Sequence, residues 1–497
     1  MSTGRSRERR QGNGPMVALV VAAMIPALLL LGLAQWAGGQ ADATEDALPA
    51  ADPGATSTTP PALSSALTTG LLSFRRASSK LSRDLNIAAF QQGVQPLMDS
   101  VGEGSCAAIS LDGELVSEKN IDAVVIPASN MKILVAAVAT DVLGDDFRYT
   151  TRVMGPAPSA GVINGDVHLV GGGDPLLSGD WYPQSDLDRF RAFNTTSLDE
   201  LASQLAAAGV TQIDGNVLGD GSRYDDELYA PGWGADVNGI EAGPYDALLV
   251  NDARVLGDEQ RSNDPNQAGA REFVRILGEH GISVTGGPGA GTAPAAAVEL
   301  ATVQSQPLPA VIAEMLTNSD NNTAELMLKE IGLATSGAGT RQAGAQAIAS
   351  TLAEWGIDTT GLVVADGSGL SADDRITCRT MISVLQHAGF DSAVGQGLAI
   401  GGETGTLADA FGDTSVGGRI RGKTGTLNNV PYDQDPPAVK ALSGYLPVDG
   451  GGAIEYTLLL NGGIITDQSE YRPIWDELVN ALTSFPAVAD PRALGPQ

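Results

Sequence analysis

Ser129 and Lys132 stand three residues apart, just after Pro127 and just before the unbroken apolar run Ile133–Ala139. Pro127 discourages helix before it and is tolerated where a helix begins, so the apolar run reads as a buried helix with Ser129 in or near its first turn. Residues three apart share one helix face, which sets a lysine amine beside a serine hydroxyl. A hydroxyl is a poor nucleophile until a base takes its proton, and a desolvated lysine can be that base. The helix N-terminus adds positive potential for an oxyanion. A lone S-x-x-K equally fits an N-cap serine beside a solvated lysine. The chain, however, has only six lysines, and no other has a serine three places before it.

Two further groups follow in order. Ser319-Asp320-Asn321 interrupts two helical stretches, and Lys423-Thr424-Gly425 lies in a strand-like run. Alone, the first is an ordinary polar loop and the second an ordinary strand end. Lys440 falls outside any motif and reads as a neutral position. The histidines are His168, His280 and His387, in a strand, at a helix end and within a helix. None has H-x-x-x-H spacing, so a Ser-His-Asp hydrolase and a zinc peptidase both fit poorly.

The elements around these residues suggest how they meet. Ser105–Val116 reads as a hairpin turning at Asp112-Gly113. From about Tyr149 to Glu299 short strands such as 165–170 and 215–218 alternate with turns, broken by helices near 197–208 and 267–280. Pro307–Leu316 is helical, and Asn322 with Glu325 has the spacing of a capping box that starts the next helix. A helix over 377–387, strands over 418–426, 441–446 and 455–461, and a closing helix over 470–483 complete an α/β sandwich.

The chain of 497 residues is 43% hydrophobic, enough for two or three domains, and carries a net charge of −30, which argues against nucleic-acid binding. Arg5, Arg7, Arg9 and Arg10 precede an uncharged apolar run, Met16–Ala34. That pattern is a signal peptide or an N-in membrane anchor, and everything after Trp36 is then exported. Gln40–Leu67, rich in Ala, Ser, Thr and Pro, reads as a disordered spacer. Cys106 and Cys378 are the two cysteines, and a disulfide and two buried thiols are equally open.

Together the three motifs resemble the S-x-x-K, S-x-N and K-T-G set of the low-molecular-mass, class C penicillin-binding proteins, the D-alanyl-D-alanine carboxypeptidase/endopeptidase family. Gly172-Gly-Asp-Pro175, Gly219-Asp-Gly-Ser222, Pro231-Gly-Trp233 and Asp366-Gly-Ser-Gly-Leu-Ser371 strengthen the likeness. It implies a transpeptidase-like (serine β-lactamase-like) α/β domain at 71–148 and 300–485. An inserted β-rich region at 149–299, a spacer at 38–70 and the N-terminal segment at 1–37 make up the rest. It also implies acyl transfer to Ser129 from peptidoglycan stem peptides, with β-lactams as inhibitors and no cofactor or metal. Lys132 is then the general base, Ser319 and Lys423 relay a proton, and the N–H groups of Ser129 and Thr426 form the oxyanion hole. Asn321 holds the substrate amide, Lys423, Thr424 and Thr426 bind the terminal carboxylate, and Gly425 and Asp220 are further substrate-binding positions. Ala372 follows Ser371 where family members often carry a basic residue, which affects side-chain recognition rather than acylation. A β-lactamase-like hydrolase and an idle wall-binding protein are the alternative functions.

Overall fold

The computed structural model describes residues 74–234, 237–258, 260–429, 436–449 and 452–486, with side chains from 86 onward. The anchor-or-signal segment and the spacer expected at 1–70 lie outside the described residues. Within them, no helix is long and apolar enough to cross a membrane.

Helix α1 (Phe74–Ser100) buries Phe90, Val94, Leu97 and Met98, an i, i+4, i+7, i+8 stripe. Strands β1 (Cys106–Leu111) and β2 (Glu114–Lys119) form the expected hairpin. Asp112 and Gly113 both take positive φ, as its tight turn requires. A 3-10 turn, Ala128–Asn130, leads into α2 (Met131–Leu143), whose first nine residues are all buried.

The chain then leaves this body for the predicted β-rich insertion. It contains β3 (Thr150–Gly155), β4 (Val162–Asn164), β5 (Val167–Val170), β6 (Leu177–Ser178), β7 (Thr196–Ser197), α3 (Asp199–Ala207), β8 (Gln212–Asp214) and β9 (Val217–Asp220). It continues through α4 (Pro265–Glu279), β10 (Ser283–Val284), β11 (Pro288–Ala290) and β12 (Val298–Gln304). A five-stranded sheet, β11-β9-β5-β3-β12, packs with α3 and α4 around a core of its own that includes Leu169, Leu205 and Phe273. The insertion closes later than residue 299. Gln304 still pairs with Thr150, and Ser305 N donates to the Tyr149 carbonyl at 2.9 Å, so the chain leaves the insertion beside where it entered.

Helices α5 (Leu308–Asn318), α6 (Asn321–Ser336), α7 (Arg341–Glu354), α8 (Cys378–Ala388) and α9 (Ala393–Gly397) follow. Then come β13 (Ala399–Ile400), β14 (Arg421–Leu427), β15 (Ala438–Pro447), β16 (Ala453–Gly462) and α10 (Gln468–Thr483). The central sheet is antiparallel, in the order β13-β14-β15-β16-β1-β2. One face packs on α1 and α10 through Phe90, Ile109, Leu458 and Trp475. The other packs on the helical layer through Ala108, Leu134, Met327, Val384 and Leu459. This is the α/β sandwich expected.

The cysteine question is resolved in favour of a bond. Cys106, opening β1, is joined to Cys378, opening α8, with 5.9 Å between Cα atoms. It ties the sheet to the helical layer, and such bonds persist in oxidising compartments. Replacing both cysteines by serine is expected to destabilise the protein by about 2–5 kcal/mol, read by denaturant unfolding. Thiol titration of the denatured natural protein should find no free thiol until a reductant is added.

Two carboxyls in the insertion make stability pH-dependent. Burial lifts Asp174 and Asp246 from 3.8 to about 6. Asp174 Oδ1 accepts from Leu176 N, and this bond and Thr196 oppose the effect of burial. A raised carboxyl contributes stability that is full below 3.8 and is lost as pH climbs through about 6. The melting temperature should therefore fall between pH 4 and 7, and Asp174→Asn should shrink that fall.

Candidate active site

Ser129 sits in the 3-10 turn, one residue after Ala128, whose φ is +49°. Lys132 lies in the first turn of α2 with no exposed surface. Its Nζ donates to Ser129 Oγ at 3.0 Å, Asn321 Oδ1 at 2.8 Å and the Ser368 carbonyl at 2.6 Å. Burial pulls this ammonium down from 10.5 to about 8, against the opposing pull of Asp366, Asp320, Glu325 and Asp374. A lysine so placed yields its proton near neutral pH while remaining aimed at the hydroxyl.

The Ser319 loop comes from the junction of α5 and α6. Ser319 caps α5 in the left-handed region, at φ +66°. Asp320 is the N-cap of α6, with Oδ1 accepting from Thr323 N at 2.6 Å. The expected capping box is thereby corrected: Asn322 and Glu325 do not cap the helix. Asn322 Oδ1 accepts from Gly243 N and its Nδ2 donates to Asp252, both in the insertion. Glu325 accepts from the N–H groups of Gly367 and Ser368. Burial beside Asp366 raises the Glu325 carboxyl.

Strand β14 brings the third group. Beyond Gly422 its outer edge has no strand partner among the described residues, because β13 pairs only with Arg421 and Gly422. That edge faces the Ser129 turn. A Cβ on Gly425 would stand 2.9 Å from the Pro127 carbonyl oxygen, which explains the glycine. Asn130, fully buried, donates to the Lys423 carbonyl at 3.1 Å and pins strand to turn. Lys423 is also buried, and its Nζ donates to Ser319 Oγ at 2.8 Å and to the Thr424 carbonyl at 2.9 Å. Burial, and then Lys132, hold its ammonium well below 10.5.

A cleft of about 940 Å³ opens over these groups, lined by Ser129, Ser319, Asn321, Thr424 and Thr426. The insertion supplies the facing wall with Leu187, Arg189, Phe190, Ile240 and Glu241. Asn321 Nδ2 gives one hydrogen to the Glu241 carbonyl at 2.9 Å and keeps the other.

The profile of the D-Ala-D-Ala carboxypeptidase 3 (S13) family matches residues 103–260 and 254–485, which span all three motifs. The chain belongs to that S13 family. A carboxypeptidase of Mycobacterium tuberculosis is 31% identical over 371 residues, covering 71% of this chain and 74% of that one. A D-alanyl-D-alanine carboxypeptidase of an Actinomadura species is 26% identical over 450 residues, 74% of this chain and 79% of that one. The crystal structure of penicillin binding protein 4 from Haemophilus influenzae shares the fold, with a TM-score of 0.63 at 20% identity. That match covers 78% of this chain and 99% of that one.

Ser129, Lys132, Ser319, Asn321, Lys423, Thr424, Gly425 and Thr426 are thus brought together as the S13 resemblance implied. Asp220 is not. It ends β9 with Oδ1 on Ser222 N and Oδ2 on Ala293 N, holding a loop of the insertion and contributing nothing to the cleft wall. Lys423 lies behind the cleft lining, with its Nζ on Ser319 Oγ and the Thr424 carbonyl. No histidine lines the cleft: His168 is buried in β5, His280 lies 3.6 Å from Asp199, and His387 stacks on Trp355.

Sequence reasoning missed the loop behind Lys132. Asp366 accepts from Gly369 N, Ser371 N and Trp233 Nε1, folding the loop so that the Ser368 carbonyl meets Lys132. Gly369 takes φ +78°, and a Cβ there would stand 1.9 Å from the Ala128 carbonyl oxygen. The D-G-S-G-L-S stretch was visible in the sequence, but nothing local says that its backbone serves as the lysine's acceptor.

Proposed function

We propose that the chain is a serine-type D-alanyl-D-alanine carboxypeptidase, with endopeptidase action on the same stem peptides as an extension of that chemistry. The observation that carries the reading is the fully buried Lys132 amine 3.0 Å from Ser129 Oγ, at a cleft completed by a second amine–hydroxyl pair, Lys423 and Ser319. Neutral Lys132 takes the Ser129 proton as Oγ attacks the penultimate D-alanine carbonyl. The N–H groups of Ser129 and Thr426 receive the oxyanion. Ser319 delivers a proton to the departing amine and is replenished from Lys423, whose Nζ donates to its hydroxyl. Asn321 holds the substrate amide with its remaining N–H. Water then cleaves the acyl-enzyme ester and frees Ser129.

A β-lactam carries a strained amide beside a carboxylate and would acylate the same hydroxyl. The family and the arginine-flanked apolar run at 16–34 support action outside the cytoplasm, with that run as tether or export signal. The test is incubation of the protein with a D-alanyl-D-alanine peptide and with a cross-linked wall dimer, with products identified by mass. Release of free D-alanine supports the carboxypeptidase, and dimer cleavage the endopeptidase. Rapid turnover of a penicillin with neither peptide cut would make it a β-lactamase-like hydrolase. Inertness to all three would make it an idle binder.

A further inference from the structure

Lys440 is not the neutral position its sequence context suggested. The β14–β15 register sets it directly opposite Thr426, and its Nζ donates to Thr426 Oγ1 at 3.1 Å. Among the described residues it forms no ion pair; its Nζ instead lies over the rings of Tyr471, 4.5 Å from the centroid, and Trp475, at 5.4 Å. Burial first, then Arg472 of α10 and Arg189 of the insertion, together lower this ammonium from 10.5 to about 8. Neither arginine has a carboxylate partner among the described residues; Arg189 lies over Phe190, and Arg472 over Tyr471 and Trp475. In a chain with 59 acidic residues against 29 basic ones, three neighbouring cations without an acid are not explained by surface balance. Of the residues around Lys440, Arg189 and Thr426 line the cleft, whose lining otherwise includes Asp188, Glu241, Asp252, Glu314 and Asp320 with Arg254 and Arg261.

The hydrogen bond also has a direction. A hydroxyl has one hydrogen and two acceptor sites. With one acceptor site taken by an ammonium, the Thr426 hydrogen is free to be given away into the cleft, to an acceptor. Lys423, which the K-T-G motif offers for a substrate carboxylate, is committed to Ser319 and the Thr424 carbonyl.

We propose that Lys440 is the positioning residue for the carboxylate of the leaving D-amino acid. It acts through Thr426, holding that hydroxyl as a donor and supplying the charge that Lys423 does not bring to the open edge. Arg189 adds to the same field from the insertion. The proposal rests on the carboxypeptidase reading above.

The experiment compares an acyl-D-alanyl-D-alanine peptide with its C-terminal amide, on the natural protein and on Lys440→Met and Lys440→Arg. Methionine keeps the stem over Tyr471 and Trp475 and removes the charge. Turnover of the acid peptide should fall about tenfold or more in Lys440→Met, mainly through KM, since a charge-assisted contact is lost. Turnover of the amide should stay level, which also reports that the variant is folded, and Lys440→Arg should restore most of the preference for the acid. An unchanged acid-to-amide ratio in Lys440→Met overturns the proposal, as does an equal loss on both peptides, which would make Lys440 only a packing residue. If the natural protein cleaves neither peptide, the carboxypeptidase reading itself falls and takes this inference with it.

Discussion

Ser129→Ala should abolish covalent labelling by a fluorescent penicillin and cut D-alanine release by on the order of 10⁴-fold or more, because the step that forms the acyl-enzyme has no substitute. The substitution removes one oxygen from a half-buried turn. It leaves the Asn130 bond to the Lys423 carbonyl and the buried face of α2 untouched, so the melting temperature should move little. Ser319 is the rival nucleophile, since its hydroxyl also meets a buried lysine amine, at 2.8 Å. The comparison with Ser319→Ala separates them. That variant should still be labelled, slowly, with the mass added at Ser129. Label found on Ser319 in the Ser129→Ala protein would overturn the assignment.

Lys132→Met should be nearly as damaging and for two distinguishable reasons. Loss of a general base costs about 10²–10⁴-fold in acylation. In the natural protein acylation should rise with pH through about 8, where the buried ammonium gives up its proton, and the variant's residual rate should lose that rise. The second effect is on folding. Asn321 Oδ1 and the Ser368 carbonyl lose their donor, and Asp366, Asp320, Glu325 and Asp374 lose a nearby cation. The melting temperature should therefore fall, unlike that of Ser129→Ala. The natural lysine titrates below 10.5 in the fold, so between about 8 and 10.5 the unfolded chain holds more protons and this group's contribution rises with pH. A pH–rate profile unchanged by the substitution would remove Lys132 from the role of base.

What could be read without the structure was what depends on local spacing. The Ser129–Lys132 pair is one helical turn, the hairpin at Asp112-Gly113 is one turn signal, and the α/β alternation follows from short hydrophobic patterns. What could not be read depends on which distant strand or loop arrives opposite. Lys440 meets Thr426 only through the register of two strands. The Lys132–Ser368 contact spans 236 residues. Asn322 and Glu325 have capping spacing, yet tertiary partners claim both side chains and Asp320 caps instead. Gly337, Gly339 and Gly344 hid α7, whose Gly344 sits within the helix because a Cβ there would stand 2.0 Å from the Leu328 carbonyl oxygen.

The order of strands in the central sheet has a bearing on when this chain becomes an enzyme. Cys106 pairs with Leu459, so β1, the first described strand, has β2 on one edge and the last described strand, β16, on the other. A ribosome delivers the N-terminal end first; β2 pairs with β1 at once, but the other edge of β1 waits through some three hundred and fifty residues of synthesis for β16. Ser129 and Lys132 are made early, but Ser319 and Lys423 reach them late, and β14 is held by strands made later still. A nascent or prematurely ended chain lacking β15 and β16 thus has its nucleophile and no built cleft. The cleft is therefore built only once β14, β15 and β16 are in place, and until then the β1–β2 hairpin has one unpaired edge.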